Sequence, residues 1–119
     1  LGGPEGARIE LCAKRGGAGS AEIAGHDHVG IPCTSVEATE AFFLSLGLTR
    51  VAAVDLERPE GVIPVRFLKA GQSVIELYGP VDHDADALAQ DGLWRGLRLL
   101  GSGKTGERIG PDGLHVTLA

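Results

Sequence analysis

His28 and Glu76 are the residues best suited to chemistry in this chain, and each sits in a stretch whose alternation orients it. In His26-Asp27-His28-Val29-Gly30-Ile31-Pro32, an extended backbone places His26, His28 and Gly30 on one face and Val29 and Ile31 on the other. In Val74-Ile75-Glu76-Leu77-Tyr78, Val74, Glu76 and Tyr78 share one face, with Ile75 and Leu77 opposite. A curled sheet would bury the aliphatic face under a helix and turn His28 and Glu76 into its concave side. There, imidazole and carboxylate are ordinary ligands for a divalent cation such as Zn, Ni, Co, Mn or Fe. Tyr78 is expected to line the same cavity. Arg66 and Arg95 carry guanidinium forks suited to a carboxylate or phosphate on a substrate.

The elements that must position these groups are legible between residues 26 and 80. A strand is expected around 26–32. Thr34-x-x-Glu37 then reads as a capping box, with Thr34 as the N-cap and Glu37 as the returning carboxylate. The helix at about 35–46 turns Val36, Phe42, Phe43 and Leu46 inward and stops at Gly47. Strands near 49–57 and 62–69 are joined by the Arg58-Pro59-Glu60-Gly61 turn. Ala70-Gly71-Gln72 makes a tight turn into the strand that carries Glu76.

Outside this region the pattern is weaker. Ala7–Cys12 reads as a strand, followed by a flexible Gly16-Gly17-Ala18-Gly19-Ser20 connector. Asp84–Gln90 suits a short helix, Trp94–Leu100 a strand, Gly101–Gly106 a loop and Leu114–Leu118 a final strand. Gly103-Lys104-Thr105 has the ending of a phosphate-binding loop, but the position for its first glycine holds Arg98. Gly106 and Gly110-Pro111 also break the helix that such a loop requires.

With 119 residues the chain suits a single domain, 1–119, with one modest core. Its 19 glycines exceed the usual share of about 7% and point to turns and a curved sheet. A net charge of −5 argues against nucleic acid as a partner. No apolar stretch approaches the roughly 20 residues that span a bilayer. No signal peptide is visible, so a cytoplasmic location is expected. Cys12 and Cys33 are too few for a disulfide framework and are expected as thiols. The chain contains no methionine, which suggests a domain cut from a longer protein.

The His26–Pro32 segment, the helix closing in Ala41-Phe42-Phe43-Leu44-Ser45-Leu46-Gly47-Leu48, the strand Val65-Arg66-Phe67-Leu68 and Ile75-Glu76-Leu77-Tyr78-Gly79-Pro80 together resemble the vicinal oxygen chelate superfamily. That is the fold of glyoxalase I, bleomycin resistance proteins and methylmalonyl-CoA epimerase. The likeness is greatest to the first half of epimerase-type members. It implies an α+β fold with a βαβββ module over 26–80. A degenerate second half, from residues 1–15 and 92–119, would complete a curved mixed sheet. It also implies that His28 and Glu76 are metal ligands. The family's second His and Glu would fall near Arg95 and at Thr117, and neither ligand is present. A short repeat aligns Gly3–Leu11 with Gly110–Leu118 and sets Glu10 at the acidic ligand position. Glu10 and His115 are thus the candidates to complete coordination, and Glu10 is the candidate catalytic base.

By this resemblance the metal would polarise two neighbouring oxygens of a small carbonyl or acyl-thioester substrate while a carboxylate moves a proton. Epimerase, isomerase or lyase activity would follow. The alternatives are non-catalytic small-molecule binding of the bleomycin-resistance kind, or an accessory domain of a multidomain biosynthetic enzyme such as a polyketide synthase, contacting a carrier-tethered acyl chain. One module makes half a barrel, so a homodimer, or completion by neighbouring sequence in a larger chain, is expected.

Overall fold

The computed structural model describes residues 11–12, 25–59, 61–79, 96–101 and 103–119. The strand expected at 7–12 (apart from residues 11 and 12), the 16–20 connector, the 84–90 helix, Glu10, His83, Trp94 and Arg95 lie outside the described residues.

A β-α-β-β-β run opens the fold: β1 (Val29–Pro32), α1 (Val36–Ser45), β2 (Thr49–Arg58), β3 (Gly61–Ala70) and β4 (Ser73–Tyr78). These strands form one mixed sheet in the order β1-β4-β3-β2. β1 lies parallel to β4, and α1 supplies the crossover that a parallel connection requires. The other two pairs are antiparallel hairpins. Gly71, at φ +61°, allows the two-residue turn that sets Ala70 opposite Ser73. As the alternation predicts, Ile31, Ile75 and Leu77 are buried against α1, together with Leu68 from β3.

The helix forms where expected, but its cap is one residue later. Ser35, in extended geometry, is the N-cap and accepts a 3.1 Å hydrogen bond from the Ala38 N–H. The Thr34 N–H is instead directed to the Asp112 carboxylate at 2.9 Å. At the other end the Leu48 N–H reaches the Phe43 carbonyl and the Gly47 N–H that of Leu44. This double closure needs the left-handed backbone that Gly47 supplies at φ +103°. Val36 and Phe43 face the core as predicted, and Phe42 packs against it. Thr39 and Glu40 complete the buried stripe.

Glu40 is tolerated there because Arg50, near the start of β2, clamps its carboxylate with both Nε and Nη2; the Nε bond is 2.7 Å. A bulge between Arg50 and Ala52 keeps Arg50 on the helix side of the sheet. The Arg50 hydrogen bond holds the Glu40 carboxyl below its ordinary range. A carboxyl depressed on folding stabilises the protein above its unfolded pKa, and that stability is lost as pH falls through the folded value. Wild type is therefore expected to exceed Glu40→Gln in stability most above pH 4.5, with the gap closing as the solution is acidified below it. Urea titrations of both proteins across this range would show it. A gap that does not change with pH would contradict it.

The remaining strands, β5 (Leu97–Leu99), β6 (Gly106–Ile109) and β7 (His115–Leu118), form a separate three-stranded sheet in the order β5-β7-β6. The expectation that the second half extends one curved sheet is thus corrected to two mixed sheets sharing a core. Val116 and Leu118 enter the same buried cluster as Phe43 and Leu77, and Leu97 and Leu99 pack against it. The second sheet therefore docks by its apolar face, with no strand pairing to the first among the described residues. A 3-10 turn, Pro111–Gly113, fastens it to the helix. Asp112 caps Thr34 from there, and Gly110 lies under the Phe42 ring so closely that a Cβ would sit 2.7 Å from a ring carbon. β6 was not expected from the sequence, where only its first residue, Gly106, fell within the 101–106 loop. None of the described helices is long and apolar enough to cross a membrane.

Candidate functional site

The parallel register of β1 and β4 builds the site. Gly30 lies opposite Glu76, so His28, two residues earlier, reaches the same face. The Nε2 of His28 stands 3.6 Å from Oε2 of Glu76, and both side chains are largely shielded from solvent. The other ring nitrogen, Nδ1, lies 2.6 Å from Oδ2 of Asp27. A carboxylate accepts only, so Nδ1 carries a proton, and Nε2 is the ring nitrogen turned to Glu76. At 3.6 Å, no hydrogen bond joins Nε2 to the carboxylate.

Register also decides what surrounds the pair. In the β3–β4 hairpin Phe67 pairs with Glu76 and Val65 with Tyr78, so all four occupy the face turned away from α1. The Phe67 ring meets the His28 ring edge-on, with centroids 5.9 Å apart. Gly30 keeps the floor open. A Cβ there would meet the Tyr78 ring at 3.4 Å and the Glu76 carboxylate at 3.6 Å. Ala52, Val54 and Leu56 continue the face onto β2, opposite Phe67, Val65 and Ile63.

The expected site residues are only partly assembled. His28, Glu76 and Tyr78 share one face, as their alternation implies. Arg66 does not, because it pairs with Leu77 on the helix side, where its Nη1 bonds Asp55 at 3.0 Å and the Val65 carbonyl at 2.9 Å. His115 is exposed on β7 in the second sheet and shares a face with Thr117. Among the described residues it brings no ligand atom within 4.8 Å of His28 and Glu76. A group of three does form among the described residues from Cys12, Asp27 and His28, whose ligand atoms lie within 4.8 Å of one another near the surface. Cys33 is buried beside the Ile31 carbonyl, and desolvation pushes its thiol up to about 11, which leaves it unreactive.

Three contributors were not singled out from the sequence: Asp27, Gly30 and Phe67. Asp27 carries a signal, since a carboxylate beside a ligand histidine can fix its tautomer. Phe67 becomes legible once the two-residue Gly71-Gln72 turn is used to count register. Compared with the known protein families the chain matches none, and no curated protein matches it in sequence.

Proposed function

We propose that this chain is a glyoxalase-like domain that binds a divalent cation through His28 and Glu76 and a small oxygen-bearing ligand on the surrounding sheet face. The observation that carries the reading is His28 Nε2 turned to a carboxylate oxygen 3.6 Å away, with Asp27 holding the opposite nitrogen. A tetrahedral ion with ligands at about 2.1 Å sets two of them about 3.4 Å apart, close to the spacing found. One neutral imidazole and one carboxylate suit Zn, Ni, Co, Mn or Fe(II). When bound, such an ion acts as a Lewis acid on neighbouring carbonyl oxygens of the ligand, the chemistry of an epimerase, isomerase or lyase. Phe67, Val65 and Tyr78 would shield the apolar part of a carbonyl or acyl-thioester compound from water. Glu10 remains the proposed base. The test is elemental analysis of protein purified without chelator, followed by calorimetric titration with zinc, nickel, cobalt and manganese. Saturable heat at about one ion per chain is expected, and its absence with every metal would overturn the reading.

The absence, among the described residues, of a third ligand beside both His28 and Glu76 favours a second reading, ligand binding without turnover, as in bleomycin-resistance-like proteins. A loaded domain that binds carbonyl ligands but never exchanges their α-proton with deuterium would select it.

We further propose that the domain works as a homodimer. β2 is an edge strand of ten residues, all exposed, and Val51, Val54 and Leu56 lie bare along it. Edges this long and apolar are templates for pairing. Sedimentation should show a dimer, and a monomer at the highest soluble concentration would contradict it.

A further inference from the structure

The second sheet repeats the first in register but not in chemistry. Leu97–Val116, Arg98–Thr117 and Leu99–Leu118 take the places of Val29–Ile75, Gly30–Glu76 and Ile31–Leu77. The closing bonds correspond too: the Cys33 N–H donates to the Tyr78 carbonyl, and the Gly101 N–H to that of Ala119, each at 2.9 Å. Counting along this match, Gly96 stands where the first sheet has His28, and Thr117 where it has Glu76.

The substitution changes what the position can hold. Gly96, at φ +138°, lies against the His115 backbone, where a Cβ would sit 2.9 Å from the carbonyl oxygen. Beside it opens a shallow cavity of about 190 Å³, lined by Gly96, Leu97, Arg98, His115 and Thr117. The polar side chains of its lining belong to Arg98, His115 and Thr117, and among the described residues no carboxylate lines it. The Arg98 side chain is exposed, with no ion pair or hydrogen bond to any described residue. Glu107 is paired to Thr117 from the far strand, so two strand spacings, about 9–10 Å, separate it from the backbone of Arg98. This donor-rich hollow occurs in a chain of net charge −5, so the overall charge does not account for it.

We propose that this cavity binds a small oxyanion, a carboxylate or phosphate group, with Arg98 as its bidentate anchor. Guanidinium forks match both groups geometrically, and a hydroxyl and a ring N–H add donors from the neighbouring strand. The first half thus offers acceptors for a cation, and the second offers donors for an anion at the equivalent position. This inference stands apart from the metal reading, since none of its residues belongs to the His28–Glu76 face.

Isotope-labelled, metal-free protein would be titrated separately with inorganic phosphate and with malonate while backbone amide shifts are followed. Saturable shifts centred on Gly96, Arg98, His115 and Thr117 are expected in at least one arm, and the arm that saturates at lower concentration identifies the preferred group. Arg98→Gln should weaken binding at least tenfold and Thr117→Val several-fold. Arg108→Gln, on the opposite face of that sheet, and Glu76→Gln should leave it unchanged. Shifts that never saturate in either arm, or undiminished affinity in Arg98→Gln, would overturn the proposal.

Discussion

Replacing His28 with Ala abolishes saturable binding of zinc, nickel, cobalt and manganese; this is the largest functional effect expected of any single change here. Two protein ligands leave no reserve when one is lost. Asp27→Asn should weaken binding by about 10–100-fold with its ligands in place, because the residue that orients a ligand histidine commonly carries that much affinity. Glu76→Gln keeps the shape of the site but removes the charge that offsets the ion, and should lose binding nearly as fully as the histidine variant. Cys12→Ser separates two geometries. If the ion sits between Nε2 and Glu76, affinity is unchanged. If it sits with Cys12 and Asp27 on the other side of the ring, affinity collapses and the thiolate-to-cobalt absorption band disappears. Binding by His28→Ala as tight as wild type would sink both geometries.

The first half of the fold was legible because its signals are local and agree with one another. Alternation in His26–Pro32 and Val74–Tyr78 assigned both faces correctly, and parallel pairing of the two strands brought His28 to Glu76. Where reading fell short, the deciding contact was distant in sequence. Thr34 is a sound N-cap by local rules, yet its N–H is taken by Asp112, 78 residues away, and Ser35 caps instead. Arg66 and Phe67 illustrate an available signal left unused. Both belong to a stretch that mixes polar and apolar residues without clear alternation. Once Ala70 is set opposite Ser73, however, counting back places Phe67 across from Glu76 and Arg66 across from Leu77. Glu40 was not among the residues expected to face inward, because only the bulge at Val51 turns Arg50 towards it. The second sheet was read as scattered strands, since three short segments show their common face only when a core is present to cover it.

That shared core sets the second large effect. Phe43→Ala should cost about 3–5 kcal/mol, the usual loss for a buried Phe whose cavity cannot collapse. The ring is fully buried in the last turn of α1, in one cluster with Leu68, Ile75 and Leu77 from the first sheet and Val116 and Leu118 from the second. Its Phe42 neighbour, edge-on at 5.3 Å between centroids, is pinned over Gly110 and cannot swing in to fill the space. Against a total stability of about 5–15 kcal/mol such a loss leaves the fold marginal, and the melting temperature should fall by about 10 °C or more. Because one cluster joins the two sheets, the variant should still unfold in a single transition, with circular dichroism and amide signals from β4 and β7 lost together. If the β7 signals vanished well before those of β4, the second sheet would be an appendage with its own stability. A loss below about 1 kcal/mol would mean that the helix is not the keystone its burial implies.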